Sequence, residues 1–462
     1  MARLYTAIRI WFSRFIAFCV MVGAAALLIF GNKPTFHKLP DGHVVHNRVV
    51  VSYWENWTGF EGRAMTHVVN AFNISQNRIY INTVQVSDLD IKALISVAGN
   101  DPPDIVTLWS RDMGQYVAND ALTPLDELEK DGVVNRHTFV PYVWRLCTPF
   151  NHLYALGATP ETCALYWNKN LFRKAGLNPD KPPTTIAELD SMARRLTIFD
   201  SNGGIRRIGF LPTIPDWSGW EIMWGIYFGN HLFNPKTGGY QINTPQQRAA
   251  YKWYQSFSRR YGYRKLEKFQ GGFGPFNSSL NPFMSQHVAM EIQGPYFANF
   301  IDKNNPKMKN EYGVAPFPTA FGPPGAAVFG DCDVWAIPRG ASHVRAALTV
   351  LKFFIQRKNI EYLCDKQCKP SPLMKVSRSF IRNNPNPYIR LFERVTKSNN
   401  VQLAPTDILW SRVYSELHSC VQRIWAGHSV GRSLARAQRV VDRWQVNLAL
   451  LNAPGPARKV RP

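Results

Sequence analysis

An α/β protein of two lobes is predicted by three observations. Strand-like and helix-like stretches alternate from residue 48 to residue 108, the pattern of a parallel sheet that gathers ligands at the carboxyl ends of its strands. A chain of 462 residues can bury more than one core. Hydrophobic residues make up 45% and aromatic residues 13%, which excludes a disordered chain.

The elements follow in order. Arg3, Arg9 and Arg14 precede an uncharged apolar run, Phe15 to Phe30, so residues 1–35 are expected to be an export signal or N-terminal membrane anchor. The small residues Gly23 to Ala26 precede Leu27–Phe30, and no small-x-small cleavage site follows the run. Partial retention as an anchor is therefore expected, with everything after about residue 35 outside the cytoplasm. Cys19 lies inside the run, misplaced for a lipoprotein cysteine. Residues 36–47 form a linker.

Arg48–Trp54 is β-rich and stops at Glu55-Asn56-Trp57. Gly62–Phe72 has helical spacing with Val68, Ala71 and Phe72 on one side. A strand over 79–86, a helix through Leu89, Leu94, Ile95 and Ala98, and a strand over 104–108 complete this part. Two strand ends then carry Trp54-Glu55-Asn56-Trp57 and Trp109-Ser110-Arg111-Asp112.

The most informative stretch is 154–189. Leu153–Leu156 and Ala164–Trp167 read as strands, the second buried. Asn168 caps a short helix carrying Leu171 and Phe172, and Gly176 ends it. Pro182-Pro183 forbids helix, and Thr184 or Thr185 restarts one with Glu188 placed for a capping box. Farther on, Ala250, Trp253, Tyr254, Phe257 and Tyr261 fall at helical spacing in a segment rich in basic and aromatic residues. An amphipathic helix with a solvated basic face explains that segment better than a nucleic-acid surface. Helices through Val344–Phe354 and Val430–Leu448 follow, then a disordered tail over 454–462.

Six cysteines lie beyond the leader, and Cys364 and Cys368 are close enough to bridge if the backbone is not regular helix. At least one disulfide is expected in an exported chain, that pair first. Lysine and arginine number 54 against 32 acidic residues, a net charge of +22 that favours anionic neighbours. The charge is scattered, so general surface solvation is its default meaning.

The succession YWNKNLFRKAGL, double proline, TTIAEL resembles the extracytoplasmic sugar-binding proteins of ABC importers, relatives of maltose-binding protein. Weaker likenesses run in order over residues 48–450: Pro103-Asp104-Ile105-Val106, Pro124-Leu125-Asp126, Phe283–Met290, Gly294-Pro295-Tyr296, Gly313–Pro318 and Val334–Pro338. Gln286-His287 stands where Gly-Lys is usual, and Tyr296 where Trp is. The resemblance implies a two-lobed periplasmic-binding-protein fold, its ligand cleft between lobes joined by chain crossings near 151–158, 314–318 and 368–375. Lobe 1 would comprise 48–152 and 318–368, lobe 2 158–314 and 375–450.

A sugar offers flat C–H faces to aromatic planes and a rim of hydroxyls to carboxylates, amides and arginine. By position the resemblance implies ligand contacts at Glu55, Asn56, Trp57, Trp109, Asp112, Glu161, Asp216, Trp217, Trp220 and Tyr296, with Asp331 and Trp335 as weaker candidates. Trp217, Tyr296 and Trp109 are expected to stack, and Trp54, Trp224 and Trp335 to belong to the core. The chain has no H-E-x-x-H helix or phosphate-binding glycine loop. The expectation is a monomeric, non-enzymatic binding protein of the periplasm or cell surface, without cofactor, metal or nucleic acid, that delivers a carbohydrate to an ABC permease. Alternatives are the same fold holding a polyamine or organophosphate, or a secreted carbohydrate-active hydrolase, whose paired carboxylates need no fixed spacing.

Overall fold

Residues 37–38, 44–45, 48–213, 220–234 and 237–452 are described by the computed structural model. The leader, most of the linker, the tail, Asp216 and Trp217 lie outside them. By internal contacts the chain divides into residues 1–50 with 69–81, and residues 51–68 with 82–462. In the smaller unit, His37–Lys38 pairs antiparallel with Val44–Val45. There the Asn73 amide donates to the Ile81 carbonyl (3.1 Å) and its oxygen accepts from the Ile81 N–H (2.7 Å). The Arg48 guanidinium donates to the Asn73 carbonyl at 2.7 Å.

The elements that position the site start with β1 (Val49–Glu55), α1 (Gly59–Ser75), β2 (Ile79–Gln85), α2 (Leu89–Ala98) and β3 (Ile105–Trp109). Next come β4 (Ala155–Thr162), β5 (Ala164–Asn168), α3 (Ile186–Leu196), β6 (Ile198–Phe199), β7 (Ile205–Phe210), α4 (Trp220–Tyr227) and α5 (Pro245–Tyr261). Then follow β8 (Val288–Gln293), α6 (Phe297–Asn304), β9 (Tyr312–Ala315), β10 (Val328–Ala336), α7 (Val344–Phe354) and α8 (Arg357–Lys366). The last are β11 (Val401–Gln402), α9 (Trp410–Trp425) and α10 (Val430–Asn452).

Two sheets result. One has the order β11-β10-β3-β1-β2 with β4 on β10, and the other β9-β5-β8-β7-β6. The sequence predicted a parallel sheet, and β1–β3 and β7–β8 are parallel. Both sheets are nevertheless mixed: β10 runs antiparallel to β3 and β4, and β5 antiparallel to β8 and β9. In the first sheet the reason is the return of the chain from the second sheet at β10, which no β-α-β crossover governs.

Local signals act as the sequence predicts. The Asn168 side chain accepts from the Leu171 N–H at 3.0 Å. Thr185 accepts from the Glu188 N–H (3.1 Å) while the Glu188 carboxylate reaches back to the Thr184 N–H (2.7 Å). Gly176 takes φ +67°, where a side chain would be strained. Helix α3 lies so close on β7 that a Cβ at Gly209 would meet the Ala193 carbonyl at 2.0 Å. The basic-aromatic segment is helix α5, burying Ala250, Tyr251, Tyr254, Phe257 and Tyr261. Trp224, Phe210, Trp253 and Phe317 form an aromatic centre beside it.

The expected disulfide is not formed. The six cysteines from Cys147 to Cys420 are buried free thiols. Cys364 sits inside helix α8 with its thiol toward the Ala158 carbonyl (3.8 Å), and Cys368 lies past the helix end at φ +59°. Regular helix through Lys366 is the condition under which the pair was not expected to bridge.

Candidate functional site

A cavity of about 840 Å³ opens where β1 and β3 end. Its first wall comes from Asn56–Glu61, Trp109 and Arg111, with Glu161 of β4 and Asp331 and Asp333 of β10. A second wall is Glu221 of α4, Phe276-Asn277, Tyr296, Phe300, Lys303 and Asn304 around α6, and Tyr414 and His418 of α9. Lys369 closes the floor.

Lys369 is only 3% exposed, and its ammonium donates to Glu161 (2.8 Å), Asp333 (3.1 Å) and the Thr159 hydroxyl (3.2 Å). The same Asp333 oxygen accepts from the Thr159 hydroxyl (2.7 Å) and the Trp57 indole N–H (3.3 Å). Burial alone would lower the Lys369 pKa, yet Asp333, Glu161 and Glu61 hold it well above the usual lysine range. Burial raises Glu161 against the opposing pull of Lys369. The floor is thus a desolvated, ion-paired cluster.

The aromatic walls are fixed by packing. Trp57 meets Trp335 edge-on at 6.4 Å between centroids, and Tyr296 packs on Phe276 at 5.2 Å. Phe60 lies 5.0 Å from Phe300 and carries the Lys303 ammonium 3.2 Å above its ring. The Arg111 guanidinium stacks on Trp109 at 4.3 Å and pairs with Asp331 at 3.6 Å, whose carboxylate also accepts from the Ser110 hydroxyl. The buried Glu221 carboxylate accepts from His418 Nδ1–H at 2.7 Å. Aromatic planes and directional polar groups therefore converge on one space.

The family model of the bacterial extracellular solute-binding proteins matches residues 62–360. This chain belongs to that family. Among solved structures, CpMnBP1 with mannobiose bound is similar at 28% identity and TM-score 0.76, covering 85% of this chain and 99% of that one. The sugar-binding protein MalE of Xanthomonas citri is 17% identical with TM-score 0.71, covering 88% and 100%, and shows the fold alone. The sn-glycerol-3-phosphate-binding periplasmic protein UgpB of Pectobacterium atrosepticum is 22% identical over 322 residues, 67% of this chain and 70% of that protein. The match to UgpB of Yersinia enterocolitica, at 27% identity, spans 37% of this chain and only 38% of that relative.

The solute-binding protein thus has the two-lobed α/β architecture that its sequence resembles. It belongs to a family of extracellular proteins, which places its work outside the cytoplasm. Among its described residues no helix is long and apolar enough to cross a membrane, and the Phe15–Phe30 run lies outside them.

Six of the expected contacts line the solute-binding protein's cavity together: Asn56, Trp57, Trp109, Glu161, Tyr296 and Asp331. Glu55 does not. It is fully buried under the end of β1, where burial pushes its carboxyl up to about 8 against partial help from Gln85 and Tyr53. Asp112 ends the one-turn helix Ser110–Asp112 and lines a neighbouring cavity of about 470 Å³, with its carboxyl raised to about 7 by burial. Trp335 is a core residue, 1% exposed, donating to the Tyr53 hydroxyl at 3.1 Å and packed on Phe354. Trp220 opens α4 with its side chain outside the described residues, as are Asp216 and Trp217.

Sequence reasoning missed Phe60, Glu61, Arg111, Asp333 and Lys369, and most of the second wall. Asp333 carried a signal, since strand residues two apart share a face and Asp331 was already a candidate. Arg111 lies within the quoted Trp109–Asp112 loop. Lys369 carried none, because its partners are distant in sequence.

Proposed function

We propose that the protein captures a carbohydrate in this cleft and delivers it to the permease of an ABC importer. The observation that carries the reading is the lining: Trp57, Trp109, Tyr296 and Phe60 beside Glu61, Glu161, Glu221, Asp331 and Asp333. Ring faces suit sugar C–H surfaces, and carboxylates suit hydroxyl donors. CpMnBP1, similar over nearly its whole length, holds mannobiose and mannotriose. The UgpB likeness raises glycerol phosphate as a competitor. Against it, two of the three lysine and arginine side chains of the lining are already neutralised, Lys369 by Glu161 and Asp333, Arg111 by Asp331. A phosphate would meet an excess of carboxylate.

The sheets support lobes of 48–152 with 318–368 and 158–314 with 375–450, hinged near 151–158, 314–318 and 368–375. Strand β11 and residues 158–162 of β4 are exceptions, pairing with β10 of the first sheet. Lobe closure around the solute is the mechanism, without turnover of the ligand. The protein acts as a monomer, held at the membrane by residues 1–30 where these are retained.

A thermal-shift panel of mono- and oligosaccharides, glycerol 3-phosphate and spermidine tests the reading, because a ligand of the native state raises the melting temperature. Stabilisation by a saccharide, with no new reducing ends on long incubation, is expected. Stabilisation by glycerol 3-phosphate or spermidine alone overturns it.

A further inference from the structure

Helix α10 has two unlike faces. Val430, Leu434, Ala437 and Val441 are buried on one side of it. Arg432, Arg436, Arg439 and Arg443 are all exposed. At 100° per residue these four fall within about 60° of arc, directly opposite the buried row, and span about 16 Å. Among the described residues none of the four forms an ion pair. The single acid of this stretch, Asp442, lies to one side and accepts from the Gln438 amide at 2.7 Å. Val446, 57% exposed, continues the arginine face toward the carboxyl end.

A charged helix face is ordinarily solvated and alternates in sign, as on α9, where Arg423 is bonded to Glu416 at 3.1 Å. Four unpaired guanidiniums in one row are different. They repel one another, and they diverge from a convex cylinder, so they cannot converge on a single small anion. What fits them is an extended plane of phosphates, each guanidinium meeting a separate group. Outside the cytoplasm that plane is the surface of a bilayer, and Val446 can enter the interface beside it. The apolar run Phe15–Phe30 of the same chain suits the same bilayer.

We propose that the α10 arginine row docks the protein on an anionic phospholipid surface, setting which side of the molecule faces the membrane. The contact is electrostatic, acts within about one Debye length of the bilayer, about 8–10 Å, and weakens with salt.

The test uses the full-length protein on vesicles of phosphatidylcholine alone or mixed with phosphatidylglycerol, each carrying a dansyl-labelled lipid. Energy transfer from tryptophan to dansyl reads the height of the protein above the lipid. The N-terminal segment and the remaining basic residues are the same in wild type and variants, so the part of the vesicle difference that is lost on substituting the row reads the row. Greater transfer on phosphatidylglycerol at low salt is expected, lost at high salt. The increment should also be lost in R432Q/R436Q/R439Q/R443Q and partly lost in R436Q/R439Q, with melting curves confirming that both variants are folded. Equal transfer on both vesicle types overturns the proposal, and is the result if the row instead meets an acidic protein. An increment that survives the fourfold substitution overturns it too.

Discussion

The Lys369 ammonium lies 2.8 Å from the Glu161 carboxylate at the floor of the cleft, in a site where the lysine is 3% exposed. Glu161 belongs to β4, whose register partner on β10 is Asp331, two residues before Asp333. One cation therefore ties the segment after α8 to two adjacent strands.

Lys369→Met should destabilise the protein by roughly 3–5 kcal/mol, because it strands two desolvated carboxylates rather than removing a favourable contact alone. Denaturant melts measure it. Adding Asp333→Asn to Lys369→Met should recover part of the loss, and a double variant no better than the single one would contradict the ion-pair account.

Stability should fall as pH rises from about 4.5 to 8. Glu55 has its folded pKa raised from 4.5 to about 8 by burial, so in that window the native state binds the proton that the unfolded chain has released. Its penalty is absent below the unfolded pKa and complete above the folded one. Asp112 and Glu291, both raised to about 7, add in the same direction. Glu55→Gln should flatten the profile and be more stable than wild type at pH 8, by on the order of 2–4 kcal/mol. Thermal melts across the window decide it.

Two tryptophans near the cleft should behave oppositely. Trp335→Ala removes a fully packed ring and should cost roughly 3–5 kcal/mol of apo stability. Trp109→Ala truncates a half-buried ring at the cavity wall and should barely move apo melting, while weakening saccharide binding at least tenfold, about 1.4 kcal/mol. Calorimetric titration beside melting curves separates the two, and a collapsed melting temperature with unchanged affinity for Trp109→Ala would put that ring in the core.

The thiols make a simpler case. Ellman titration of the native protein should find Cys147, Cys163, Cys332, Cys364, Cys368 and Cys420 unreactive, since all six are buried. Unfolding without reductant should expose all six. A shortfall of two would restore a disulfide.

What the sequence showed follows the range of the forces involved. Caps such as Asn168 and Thr185 act over three residues, and helical and strand periods over a dozen, so the elements were legible. Trp57, Trp109 and Tyr296 could be placed because they stand at strand ends and in a recognisable turn. The Lys369 cluster was not legible, since the lysine and Thr159 are 210 positions apart and only the return of β10 brings Asp333 between them. Asp112 stands apart from the other candidates because one helical turn separates it from Trp109 and carries it to a different cavity. Glu55 and Trp335 do not line the cavity, since each is buried in the core although it lies close to lining residues.

The return of β10 also has a consequence in time. Strand β3 ends at Trp109, and its antiparallel neighbour is complete only at Ala336. At roughly 5–20 residues per second on the ribosome, the edge of β3 stays open for about 10–45 s after it is made. Throughout that interval β3 is paired on one side only, with β1, and the first sheet is unfinished. A chain exported in the unfolded state gains from such a delay, because the first sheet of this one cannot be completed until three-quarters of the chain has been synthesised.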